Sequence, residues 1–143
     1  MEFEYTDQLL AALIPLGLTV IFHGLGMDVV RRCYKRFRPH VLNARYIGLR
    51  AFFMIGIVAI MLVTHFFGVV IWAGFYFLAG ILTSAQDAML FSMLSYTTIG
   101  APHTLHGHWI GFGGFEAMTG MLMFGWSTAV LAAVVQKIHA IEE

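Results

Sequence analysis

Charge is scarce in this chain: only 11% of its 143 residues are charged, while 59% are hydrophobic. A soluble domain of this length has no core large enough to hide so much apolar surface, so lipid must be part of its solvent. Cysteine is nearly absent, and the single Cys33 excludes an intrachain disulfide. Its place among basic residues points to a reducing, cytoplasmic side. No nucleophile pair, phosphate loop or dinucleotide motif is present, so no enzymatic activity is expected, and nothing suggests nucleic acid as a partner. The first residues carry Glu2, Glu4 and Asp7 where a cleavable signal peptide carries positive charge, so the first span is expected to stay in the mature protein. Low-complexity segments and signs of a second domain are also missing.

The charge that does occur is segregated. Arg31, Arg32, Lys35, Arg36, Arg38, Arg45 and Arg50 are seven of the eight basic residues, and Lys137 is the eighth. The positive-inside rule makes residues 31–50 cytoplasmic and the N-terminus external. Before them, residues 8–30 form an apolar run about as long as the hydrocarbon layer is thick. Pro15 is expected to kink this span or mark an irregular start, and His23 is read as a helix-contact residue. Residues 31–38 form either an amphipathic helix on the anionic inner leaflet or a plain solvated loop. Residues 51–82 contain no charge and are read as one long tilted helix. His65 near its middle should bond a neighbouring helix, and Trp72, Phe75, Tyr76 and Phe77 suit an outer interfacial belt.

Residues 83–98 break the pattern. Thr83, Ser84, Gln86, Asp87, Ser92, Ser95, Tyr96, Thr97 and Thr98 cannot face lipid. Ser84 with Asp87 three positions on has the spacing of a capping box, which predicts a short helix over 85–95. At 1.5 Å per residue it reaches only about half of the hydrocarbon layer. A last apolar helix over 109–137 runs inward and ends at Lys137. The expected architecture is all-α: an N-terminal transmembrane helix and basic cytoplasmic loop over 1–50, and residues 51–143 holding an outer helix, the half-span helix, a turn and an inner helix.

Non-helical backbone at membrane depth is tolerated only when buried in protein or lining water. A half-span helix points its negative dipole end at that backbone, where a cation is favoured. Threonine hydroxyls and successive carbonyls can replace an ion's hydration shell. The stretch Phe91-Ser92-Met93-Leu94-Ser95-Tyr96-Thr97-Thr98-Ile99-Gly100 resembles the pore helix and filter entry of bacterial two-helix potassium channels, whose pattern ends T-T-V-G-Y-G-D. Residues 114–129 are similar to the inner helix of that family, and the likeness covers roughly residues 51–138. It implies a potassium-channel-like homotetramer in the lipid bilayer, with an outer helix over 51–82, a pore helix over 85–95, a filter over 97–102 and an inner helix over 109–137. Such a multi-pass protein would lie in the plasma (inner) membrane with its C-terminus cytoplasmic and conduct monovalent cations without a cofactor.

After Gly100 the pattern departs, because Ala101, Pro102 and His103 stand where the family has Tyr-Gly-Asp. Proline fixes its own φ and holds the preceding residue extended. The expected ligands are therefore the Thr98 hydroxyl and the carbonyls of Thr98, Ile99 and Gly100, with Thr97 at the entry and the Ala101 position lost or widened. Discrimination of potassium from sodium should be weakened. His103, His106 and His108 crowd the expected outer mouth, as exposed turn residues, as ligands for zinc or copper, or as groups that protonate below about pH 6.5. Glu116, the one acid in the last span, is expected behind the filter, bonded to the pore helix or filter backbone. Gly120 and Gly125 are candidate gating hinges, although close helix packing explains them equally well. Two alternatives to a conducting channel are a nonconducting assembly or accessory subunit, and a histidine-based metal- or haem-binding membrane protein. His23, His65 and the cluster of His103, His106 and His108 fall at different depths, which argues against one shared site for the latter.

Overall fold

The computed structural model describes residues 5–42, 47–100 and 104–139. Its described residues are helical, without a strand: α1 Tyr5–Leu42, α2 Ile47–Leu78, α3 Ala85–Tyr96, a single 3-10 turn Gly107–Trp109, and α4 Phe112–His139. Three apolar stretches, Leu9–Pro39, Gly48–Leu78 and Phe112–Ile138, are long enough to cross a membrane. Their outer faces expose Leu10, Phe52 and Leu62 at 62%, 74% and 70%, a surface that belongs against lipid.

The basic segment is not a loop through residues 31–42. Helix α1 continues without interruption to Leu42, because arginine and lysine are good helix formers and nothing in 31–38 breaks the backbone ladder. It also passes through Pro15 and Pro39, so Pro15 neither starts nor ends it. Thr19 Oγ1 donates to the Pro15 carbonyl at 2.7 Å, one turn back.

Helix α2 stops at Leu78, four residues earlier than expected from the apolar run. Gly80 takes a left-handed φ of 68°. Its N–H bonds the Phe77 carbonyl at 3.1 Å, and the Ile81 N–H bonds the Tyr76 carbonyl at 3.0 Å. These are the two bonds of a Schellman cap, which glycine closes without a Cβ penalty.

Helix α1 packs on α2 and α4, and α3 lies against α2 and α4. Two cores result. One gathers around α3 and is aromatic, with Trp72, Tyr76, Phe91, Tyr96 and Phe112. The other joins the basic ends of α1 and α4 to α2 and is mainly aliphatic, with Met27, Val30, Ile57, Val130 and Val134.

Candidate functional site: the turn after the short helix

Helix α3 begins where the capping pattern places it. Ser84 is extended at φ −104° and ψ 129°, and its Oγ accepts the Asp87 N–H at 3.3 Å. At 12 residues the helix rises about 18 Å, well short of a hydrocarbon layer about 30 Å thick. Ala88, Phe91, Ser92, Ser95 and Tyr96 are buried, which fixes the face turned to α2 and α4.

The far end of α3 repeats the geometry seen after α2. The Thr98 N–H bonds the Ser95 carbonyl at 2.9 Å, and the Ile99 and Gly100 N–H groups reach the Leu94 carbonyl at 3.0 and 3.2 Å. The Thr97 N–H and hydroxyl both turn to the Met93 carbonyl, the hydroxyl at 2.7 Å. The carbonyls of Met93, Leu94 and Ser95 are thus satisfied by the turn. The left-handed position falls on Thr98, with φ 61°, the single positive-φ residue other than glycine among those described; Gly100 follows at 101°. A β-branched residue in this region is an outlier costing about 1–3 kcal/mol, and it persists only where its surroundings over-determine it.

The hydrogen bonds also set the direction of the free carbonyls. In a planar trans peptide, the carbonyl of one residue points opposite to the N–H of the next. The N–H groups of residues 98–100 turn back toward α3, so the Thr97, Thr98 and Ile99 carbonyls are aimed away from its end. Thr98, Ile99 and Gly100 are exposed, Ile99 at 76%. The direction of the Gly100 carbonyl depends on Ala101; Ala101, Pro102 and His103 lie outside the described residues.

Two contacts hold this turn from behind. Glu116 is fully buried, with the Tyr76 hydroxyl donating to Oε2 at 2.8 Å and the Ser92 hydroxyl reaching Oε1. Ser92 Oγ is also 2.8 Å from the Val69 carbonyl, and its one proton serves one acceptor at a time. The carboxyl group therefore ties α4 to both α2 and α3. Gly120 supplies the second contact: a Cβ there would overlap the Tyr96 carbonyl oxygen, so α4 passes this close only because the residue is glycine. Gly125 has nothing within 4 Å of such a Cβ.

A second polar chain crosses the bundle beside Tyr96. Ser127 Oγ sits 3.1 Å from His23 Nε2 and 3.0 Å from His65 Nε2, and His65 Nδ1 is 3.3 Å from the Tyr96 hydroxyl. All four residues are buried. His23 and His65 are therefore not at different depths, as the sequence suggested; their ring centroids are 4.9 Å apart. The uninterrupted α1 explains the change, since both residues lie nearly equally far along their helices from the connection between α1 and α2. The sequence offered no bonding role for Ser127, which falls among the residues likened to an inner helix. Its signal was its depth on α4 opposite two histidines, visible only once the true helix ends are known. His23 Nδ1 is buried without a partner among the described residues.

The expected outer mouth is only partly described. His106 is exposed at the start of the 3-10 turn, while His103 and the His108 side chain lie outside the described residues. Among those described, no three His, Cys, Asp or Glu side chains group to hold a metal. A cavity of about 300 Å³ opens beside the turn, with Thr98, Gly100, Thr104 and Ala117 in its lining.

These elements define an all-helical protein with three helices able to cross a membrane and a half-length fourth helix braced between two of them. Compared with family models, curated proteins and solved structures, the chain matches none.

Proposed function

We propose that this chain is one subunit of a homotetrameric cation channel similar to potassium channels, with α3 as the pore helix, α2 as the outer helix and α4 lining the pore. The observation that carries the reading is the turn after α3. Three successive carbonyls, of Thr97, Thr98 and Ile99, are directed away from the helix end on an exposed surface, at the negative pole of the α3 dipole. One copy supplies too few oxygens to replace a hydration shell; four copies around an axis supply rings of them. Strain at Thr98 fits the same picture, because it keeps a hydroxyl-bearing side chain where glycine would cap the helix at lower cost. Glu116 and Gly120 are the supports that hold the turn against α4.

The protein lies in the plasma (inner) membrane with its N-terminus outside and its C-terminus cytoplasmic, since the basic ends of α1 and α4 belong on one side. Potassium passes, and sodium is discriminated against only weakly, because Ala101 and Pro102 replace the outer half of the family's filter. The test is cation flux and reversal potential on purified protein in liposomes. Comparable potassium and sodium permeability supports the proposal; strong potassium preference removes the argument from the altered filter. No flux from a folded tetramer leaves a nonconducting assembly.

A further inference from the structure

The largest cavity described, about 760 Å³, is far from the turn, between the basic ends of α1 and α4. Arg31, Tyr34, Lys35 and Arg38 line it from one face of α1, and Lys137 closes it from α4. The positions recur at three- and four-residue intervals, so their side chains project together. Arg31 has one exposed partner, Asp28 at 3.5 Å. Lys35, Arg38 and Lys137 have no carboxylate partner among the described residues, and Lys137 Nζ instead stands 6.0 Å from the centre of the Tyr34 ring. Tyr34 is 8% exposed, and its hydroxyl is fully buried without a partner among the described residues, so its ring rather than its hydroxyl forms part of the cavity wall.

The remaining wall is apolar. From Lys137 the cavity follows α4 past Ala133 and Ala129 to Trp126, a descent of about 16 Å at 1.5 Å per residue. Two alanines in register leave a groove between the helices, and it opens into the stretch that crosses the membrane. A free phosphate would satisfy the cationic rim and leave the groove empty. An anionic phospholipid satisfies both parts, its phosphodiester among the cations, its acyl chain along Trp126, Ala129 and Ala133.

We infer that the cavity between the inner ends of α1 and α4 is a binding site for an anionic phospholipid of the leaflet that faces the basic side. The inference needs the membrane reading alone, so it stands or falls separately from ion conduction. Basic residues near a membrane surface are each worth enough that losing two weakens binding on the order of tenfold or more.

Native mass spectrometry on the full chain in detergent tests this, titrating phosphatidylglycerol, phosphatidylcholine and inorganic phosphate separately. Preferential retention of phosphatidylglycerol, undisplaced by millimolar phosphate, is the expected result. Equal retention of the two lipids, or displacement by phosphate alone, overturns it. Arg38→Gln with Lys137→Gln should weaken phosphatidylglycerol binding about tenfold and leave phosphatidylcholine unchanged. No loss in that variant contradicts the site. Glu142→Gln with Glu143→Gln asks whether the chain's own last acids fill the cavity instead. Unchanged affinity supports the lipid, whereas a tenfold gain assigns the site to that segment.

Discussion

Two helices in this protein end in the same hydrogen-bonded turn, and they differ in the residue at its left-handed position. After α2 that residue is Gly80, with φ 68°; after α3 it is Thr98, with φ 61°. The bonds correspond one for one, Gly80 to Phe77 and Ile81 to Tyr76 in the first, Thr98 to Ser95 and Ile99 to Leu94 in the second. Glycine is the residue that physical chemistry selects for this geometry, and the first turn is a helix stop. At the second turn a β-branched side chain is kept against its conformational preference. The difference lies behind the turns: Glu116 bonds both Tyr76 of α2 and Ser92 of α3, but only α3 has Gly120 of α4 passing directly against the carbonyl of its last residue, Tyr96, so packing there supplies what the local preference withholds.

Breaking these contacts should therefore loosen the turn after α3. Glu116→Ala strips the Tyr76 hydroxyl of its acceptor and leaves a cavity, for an expected loss of about 3 kcal/mol. Tryptophan-detected unfolding in detergent measures it, and amide exchange should accelerate at Ile99. Glu116→Gln keeps an acceptor for Tyr76 and should recover most of the loss. Gly120→Ala forces a methyl group into the Tyr96 carbonyl and should cost about 2 kcal/mol, against less than about 0.5 kcal/mol for Gly125→Ala, which meets nothing nearby. A similar loss in both variants would deny that Gly120 is a contact residue. Exchanging the turn residues gives the smaller effects. Gly80→Thr should cost about 1.5 kcal/mol, because a β-branched side chain is placed at a left-handed φ. Thr98→Gly should gain about 1 kcal/mol by relieving strain, while altering the permeability ratio in liposomes. A Thr98→Gly variant that is less stable than the parent would show that Thr98 is not strained.

Much of this arrangement was legible in the residues themselves. Ser84 and Asp87 marked the start of α3, the polar run marked it as a helix unable to face lipid, and a lone acid on α4 had to find hydroxyl partners inside the protein. Over residues 31–38 the sequence left an amphipathic helix and a solvated loop both open; the helix is what forms, since arginine and lysine carry a helix as well as leucine does. Ending the first span at Val30 displaced the connection between α1 and α2 and with it the depth of His23 relative to His65. Gly80 was a cap signal hidden inside an apolar run, so hydropathy carried α2 too far. The left-handed Thr98 had no signal at all, because tertiary packing, not local preference, holds it there.

In the proposed tetramer, the carbonyls that follow α3 meet on one axis from four copies. Diffraction from the assembled protein soaked in thallium, a heavy monovalent cation, tests this directly through its anomalous signal. The account predicts a peak on a fourfold axis, ringed by the carbonyl oxygens of Thr97, Thr98 and Ile99 from four copies. An assembly in which those oxygens face lipid or bulk water, with no cation among them, would contradict it.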